Sequence, residues 1–276
     1  MGHTTGPLDL AAAVLPGADL GRAVVVQGEF HDVVLLPGEA VVKIARRAAT
    51  PHLERRAALH AALAAAGLPF AVPRPLGPVC HLGERAAVAL SWVDGAPAPA
   101  GSADPVRLRD LLDAVASVDV ATLGGLLDVP HAYAGRDGWA ELMLDGVVPR
   151  MPEDLRPEAA RRVRAALDLP EVPPRLVHGD LAGDNLLWRD GRVVGVLDWD
   201  LAAPFDPAVD AACLAWFGWD AVRAAVDDDT YRRACVWFGT FALEQVGAAL
   251  AAGQPAPVVE ARVARAATLI GGVTAR

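Results

Sequence analysis

The residues best suited to chemistry lie in His178-Gly179-Asp180-Leu181-Ala182-Gly183-Asp184-Asn185 and, a little further on, Asp198-Trp199-Asp200. Between them, Leu186-Leu187-Trp188 and Val193-Val194-Gly195-Val196-Leu197 flank Asp190-Gly191, a dipeptide that favours a tight hairpin turn. A tight hairpin returns the chain to its start, so Asn185 and Asp198 are expected to meet at its open end. Both offer hard oxygen ligands of the kind Mg²⁺ takes alongside phosphate oxygens and water. Asp180, five positions before Asn185, is placed to accept or orient a hydroxyl proton. The chemistry this implies is metal-assisted phosphoryl transfer to an alcohol, in which positioning supplies most of the acceleration. The bland alternative, a polar turn with a capping Asp on each side, needs three spacings to agree by accident.

The second signal is Lys43, within Val41-Val42-Lys43-Ile44-Ala45. The 25 Lys+Arg residues comprise one lysine and 24 arginines, and the one lysine falls on a strand. Kinases use a strand lysine to contact the α- and β-phosphates and hold it with a glutamate from the following helix. Glu54 is the expected partner here. An ammonium is a compact point charge, which the larger guanidinium fork does not replace in such a pocket. Gly28, Phe30 and His31 are expected to form the loop over the phosphates, although one glycine stands where a Gly-rich loop has three. An ordinary hairpin turn with a surface histidine is the competing reading of that loop.

The elements that would carry these residues follow from periodicity. Val24 to Val26, Val33 to Leu36 and Val41 to Ile44, separated by turn residues including Pro37-Gly38-Glu39, predict an antiparallel meander. Thr50 and Pro51 predict a capped helix start, with Leu53, Ala57, His60 and Leu63 at helical spacing and Gly67 closing it. Ala71 to Pro78 reads as extended and Ala86 to Leu90 as a strand. The stretch 91–102, rich in Pro, Gly and Ala, reads as a connection. Helical patterns follow over Pro105 to about Leu127, Trp139 to Leu144, Pro157 to Leu167, Asp229 to Ala252 and Pro257 to Leu269.

These motifs resemble those of the aminoglycoside phosphotransferase family, small-molecule kinases with a protein-kinase-like fold. His178, Gly179, Asp180, Asn185 and Asp198 match its catalytic pattern, and Asp206-Pro207-Ala208-Val209-Asp210 matches its downstream acidic stretch. Within the family, the segments Gly28 to Val34, Val177 to Trp188 and Asp198 to Asp200 look most like the phosphotransferases of viomycin and capreomycin, which are basic cyclic peptide antibiotics. The resemblance implies an α+β, bilobed fold: an antiparallel β N-lobe with one helix over 1–90, a hinge over 91–102 and a mostly helical C-lobe over 103–276. It implies ATP (or GTP) and Mg²⁺ as cofactors, with the adenine held by backbone groups of Ser91 and Val93. The acceptor it implies is a small-molecule antibiotic, with aminoglycosides, macrolides or a metabolite alcohol as alternatives. Asp200 stands where kinases usually carry a glycine. It joins Asp180, Asp220 and Glu244 as candidate acceptor residues; each of the last two also reads as an ordinary surface charge.

Composition narrows the field. The chain has 276 residues, 53% hydrophobic and 21% charged, the profile of a packed globular protein. A formal charge of -9 disfavours nucleic acid as a partner and would attract a cationic acceptor. Cys80, Cys213 and Cys235 fit neither a disulfide framework nor a zinc site and read as reduced thiols of a cytoplasmic protein. No basic region with a long apolar run opens the sequence, no uninterrupted apolar stretch approaches about 20 residues, and a monomer is expected. Asp206 and Asp210 follow Asp198 so closely that no long activation segment can seat a peptide, which argues against a protein kinase. A nucleotide-binding pseudokinase would be expected to lack Asp180, Asn185 or Asp198, and all three are present.

Overall fold

The computed structural model describes residues 6–28, 31–45, 47–135 and 137–274. Its N-terminal part contains helix α1 (Pro7–Val14), strands β1 (Val24–Gln27), β2 (His31–Leu36) and β3 (Ala40–Ala45), helix α2 (Leu53–Ala64), and strands β4 (Cys80–Leu82) and β5 (Arg85–Ser91). The strands form one antiparallel sheet in the order β1-β2-β3-β5-β4. Period-two alternation divides its residues between two cores. Val34, Leu36, Val42 and Ile44 pack with Leu10 and Ala11 of α1, a helix the sequence reading did not anticipate. Ala45, Ala86 and Val88 pack with Leu53 and Ala57 of α2. Lys43 shares the α2 face with Ala45, two residues on, which directs its side chain toward the second half of the molecule.

Helix α2 starts later than Thr50 suggested. A 3₁₀ turn over Arg47–His52 precedes it, and the Thr50 hydroxyl donates to the carbonyl of Glu84 at 3.2 Å instead of capping the helix. The extended run after Gly67 then ties the two halves together: Ala71 donates to the Val194 carbonyl and accepts from Val196 N–H, at 2.9 and 3.0 Å.

The C-terminal part comprises β6 (Ala96–Pro97), α3 (Pro105–Ala116), α4 (Val120–Leu123), α5 (Trp139–Glu141), α6 (Arg156–Leu167), β7 (Arg175–Val177), β8 (Leu186–Arg189), β9 (Arg192–Val196), β10 (Ala203–Phe205), α7 (Ala208–Cys213), α8 (Trp219–Ala225), α9 (Asp228–Ala251) and α10 (Ala256–Thr274). The single helix expected over 105–127 is two. Asp104 accepts from Val106 N–H to start α3, and Asp119 accepts from Ala121 N–H to start α4, so two N-caps divide one apolar stretch. The hairpin β8–β9 turns at Asp190 (φ 50°) and Gly191 (φ 69°), the left-handed pair that Asp-Gly favours.

Helix α9 is 24 residues long and contains an 18-residue stretch with a mean hydropathy of 1.3, long and apolar enough to cross a membrane by those measures alone. It packs against α6, α7 and α10. Arg233 and Thr240 are buried on it, and the Arg233 guanidinium reaches Asp206 at 2.6 Å. Such a helix reads as the core of a packed helical lobe. A sheet in the first part and helices in the second make the architecture α+β.

Candidate active site

Strand β7 delivers the chain into His178-Gly179-Asp180, and the surroundings leave this turn little freedom. The Asp210 carboxylate, buried on α7, accepts the backbone N–H of His178 at 2.8 Å and of Gly179 at 2.9 Å. Burial pushes Asp210 up to about 7 against the lowering effect of those two bonds. His178 bridges the two ends of the hairpin: Asp180 N–H donates to its Nδ1 at 3.2 Å, and its Nε2 lies 2.7 Å from the Leu197 carbonyl. An accepting Nδ1 and a donating Nε2 define the neutral imidazole, in keeping with a pKa lowered to about 4 by burial. Gly179 has φ 83°, and a Cβ there would stand 3.0 Å from both Cβ and O of Leu201. Glycine thus permits the close approach between the catalytic loop and the turn after Asp198.

The hairpin brings together the residues expected at its mouth. Leu197 N–H donates to the Asn185 carbonyl at 2.8 Å, which sets Asp198 beside Asn185. The Asn185 amide donates to both the backbone carbonyl and the Oδ2 of Asp180, each at 2.9 Å. Burial raises the Asp180 pKa, the Asn185 hydrogen bond opposes it, and the Asp198 charge adds to the rise. Asp198 adopts φ 56°, and a 3₁₀ turn over Trp199–Leu201 follows. Trp199 is buried edge-on to His178 and donates to the Val196 carbonyl at 3.1 Å, which anchors the turn that carries Asp198 and Asp200.

Lys43 completes the group. Its Nζ lies 2.8 Å from Asp198 Oδ1 and 2.8 Å from Asp200 Oδ1. Burial would strip the proton from this amine, but Asp200 and then Asp198 outweigh it and hold the pKa above the ordinary lysine value. Burial also favours neutral Asp198, yet Lys43 draws its carboxyl down to about 2. His31 sits 3.6 Å from Asp200, and burial followed by the Lys43 charge lowers it to about 4, so it is neutral. Arg56 of α2 reaches Asp200 Oδ2 at 3.1 Å; nothing in the sequence reading singled it out.

Other expectations fare differently. Glu54 does not hold Lys43: its exposed carboxylate pairs with His81 at 2.9 Å. Ser91 cannot offer its N–H to a base, because that group donates to the Arg74 carbonyl at 2.8 Å. Val93 packs into the space left by Gly195, where a Cβ would come within 2.5 Å of its Cγ1, and so lies against β9. Gly28 N–H donates to the His31 carbonyl at 2.8 Å, and a Cβ at Gly28 would come within 2.6 Å of that oxygen; Phe30 lies outside the described residues. Asp220 is exposed in the first turn of α8, a helix that packs on α3, α9 and the turn 214–217. Glu244 is enclosed by Thr240 at 2.5 Å and by Tyr133 and His131 at 3.3 Å, beside Trp139, Phe205 and Trp237. The Cys213 thiol, its pKa raised by burial and by Asp210, lies 3.8 Å from the Gly179 carbonyl.

The donor set fits Mg²⁺. The Lys43 ammonium, a cation held between two carboxylates, shows that this position accepts positive charge. Among the described residues no three His, Cys, Asp or Glu side chains form a metal cage, so Asn185 and Asp198 would need phosphate and water oxygens to complete a coordination shell.

A strand lysine, a loop carboxylate, an Asn and a post-hairpin Asp, gathered between a five-stranded sheet and a helical lobe, define a kinase-type phosphotransferase. Residues 27–248 match the family model described as the phosphotransferase enzyme family, and the chain belongs to it. Among characterised proteins it is 35% identical over 264 residues to the viomycin phosphotransferase of Streptomyces vinaceus, covering 86% of this chain and 90% of that one. Its fold is that of the GDP and kanamycin complex of APH(2")-IIIa, with a TM-score of 0.78 at 19% identity over 97% of this chain and 98% of that one. It is likewise that of the macrolide 2'-phosphotransferase MphH from Brachybacterium faecium, with a TM-score of 0.65 at 23% identity over 94% and 97% of the two chains.

Proposed function

We propose that this phosphotransferase moves the γ-phosphoryl group of ATP, with GTP as the alternative donor, onto a hydroxyl of a basic cyclic peptide antibiotic of the viomycin and capreomycin kind. The observation that carries the acceptor class is the 35% identity to a viomycin phosphotransferase along 90% of its length. The charge of -9 is in keeping with a cationic acceptor, and relatives of the same fold carry GDP or ADP. The lobes divide at the hinge over 91–102, where Val93 packs on β9.

In this reading Lys43 binds the α- and β-phosphates, and Asn185 with Asp198 holds Mg²⁺, which would neutralise charge on the transferring phosphate. Asp180, its pKa raised by burial and its oxygen fixed by Asn185, accepts the acceptor's hydroxyl proton as the oxygen closes on phosphorus. Asp210 and His178 keep that carboxylate in place. Glu244 acts through its neighbours: with its oxygens already engaged, it orients His131 and Tyr133 on the acceptor side of the cleft.

The test is transfer of radiolabelled phosphate from ATP to a panel of viomycin, capreomycin, aminoglycosides and macrolides, with mass spectrometry of each product. A gain of one phosphate on the cyclic peptides is expected. Labelling confined to an aminoglycoside or a macrolide would refute the acceptor assignment.

A further inference from the structure

The carboxylate that steadies the phosphate-binding lysine comes from an unexpected place. Kinases hold this lysine with a glutamate from the helix that follows its strand. Here the only carboxylate on α2 is Glu54, whose side chain is 70% exposed and paired with His81. Helical residues two apart lie about 200° apart around the axis, so a helix that turns Arg56 toward the cleft turns Glu54 away from it. Arg56 does face the cleft, with Nη1 3.1 Å from Asp200.

Asp200 has the attributes of an anchor. Its side chain is 14% exposed, against 52% for Asp198. Its Oδ1 lies 2.8 Å from the Lys43 ammonium as an ion pair without hydrogen-bond geometry, and its Oδ2 lies 3.1 Å from Arg56 and 3.6 Å from His31, again as charge contacts. Its backbone is fixed by the 3₁₀ turn around buried Trp199. Asp198 is the more exposed of the two carboxylates on Lys43 and the one a metal would claim. With Asp198 engaged by a metal, Asp200 would be the carboxylate among the described residues left to hold the ammonium.

We propose that Asp200, ion-paired with Arg56 of α2, is the carboxylate that positions Lys43 against the nucleotide phosphates, in place of a helix glutamate. The inference rests on Lys43 being the phosphate ligand. It makes Asp200 and Arg56 positioning residues, and it couples α2 to the site through a cation instead of an anion.

Because Lys43 is the only lysine in the chain, an amine-acylating reagent followed by peptide mass spectrometry reads this one side chain apart from the N-terminus. Asp200→Asn is expected to raise the Lys43 acylation rate and the KM for ATP about tenfold each, with a smaller loss in kcat. Asp200→Glu should recover most of both, Arg56→Gln should move both in the same direction by about threefold, and Glu54→Gln should move neither. Thermal melts of each variant separate misfolding from loss of the anchor, and Arg56→Gln tests the ion pair should Asp200→Asn not fold. Wild-type acylation and KM in Asp200→Asn, or a loss in Glu54→Gln instead, would overturn the proposal. So would full rescue of Asp200→Asn by excess Mg²⁺, which would make Asp200 a metal ligand. Lys43→Ala keeps the two ideas apart: if it leaves the KM for ATP unchanged, the phosphate role of Lys43 fails; if it raises KM while Asp200→Asn does not, only the anchor fails.

Discussion

Replacing Asp210 by Asn tests how far the catalytic loop depends on a residue that touches no substrate. Both Asp210 oxygens are in use, one for each N–H at the head of the loop. Asn offers one oxygen and turns an NH₂ toward the other donor, so one buried N–H is left unpaired. An unsatisfied buried donor costs about 1–3 kcal/mol. At about 2–4 °C per kcal/mol for a chain of this size, the melting temperature should fall by about 2–12 °C. Asp210→Ala strands both donors and should cost about twice as much. The effect on turnover should exceed the effect on stability, since a displacement of about 1 Å in a positioning loop costs about 10²-fold in rate. Assays belong at pH 8, above the Asp210 pKa of about 7, where the wild-type group is ionised. Differential scanning fluorimetry and steady-state kinetics measure the two quantities. Wild-type melting and turnover in Asp210→Asn would refute the reasoning, because the paired amide bonds would then be incidental.

Three further outcomes are expected. His31, His60 and His178 are each lowered by burial from 6.5 to about 4, so between those values the unfolded chain binds protons that the native chain does not, and their contribution is lost on acidification. Asp210, raised from 3.8 to about 7, contributes with the opposite sign across much of that window. A variant such as His60→Asn should therefore be less stable than wild type at pH 7, with the gap in melting temperature narrowing toward pH 4.5; a constant gap contradicts the assignment. Lys43→Arg should raise the KM for ATP about tenfold and slow transfer, because a guanidinium does not fit between Asp198 and Asp200 as an ammonium does. Arg233→Met should cost about 3–5 kcal/mol in urea melts, since it leaves Asp206 buried with its partner cation removed.

Much of this site was legible before any coordinates, for identifiable reasons. Asp190-Gly191 specifies a turn, and a tight turn fixes where Asn185 and Asp198 must meet. Lys43 could be placed because strand alternation is local and because lysine occurs once. What failed depended on contacts distant in sequence. Glu54 was the natural partner by order along the chain, but the rotation of α2 is set by Leu53, Ala57, Leu59 and Leu63 packing into two cores, and that rotation presents Arg56. The N–H of Ser91 is engaged by Arg74, 17 positions earlier, which no local pattern reveals; this removes the N–H alone, not the carbonyl, as a contact to a base. The break between α3 and α4 was readable in retrospect, since Asp119 follows Ser117 and Val118 as a second N-cap within an apolar run. Helix α1 covers the outer face of the sheet through Leu10 and Ala11, and its short apolar pattern gave little warning of that.

Phosphoryl transfer at this site depends above all on Asp180 receiving the acceptor's proton. The direct measurement is phosphoryl transfer by Asp180→Ala alongside nucleotide binding by the same protein. Transfer should drop by about 10²–10⁴-fold while the dissociation constant for the nucleotide stays within about threefold of wild type. Transfer at the wild-type rate in that variant would contradict it.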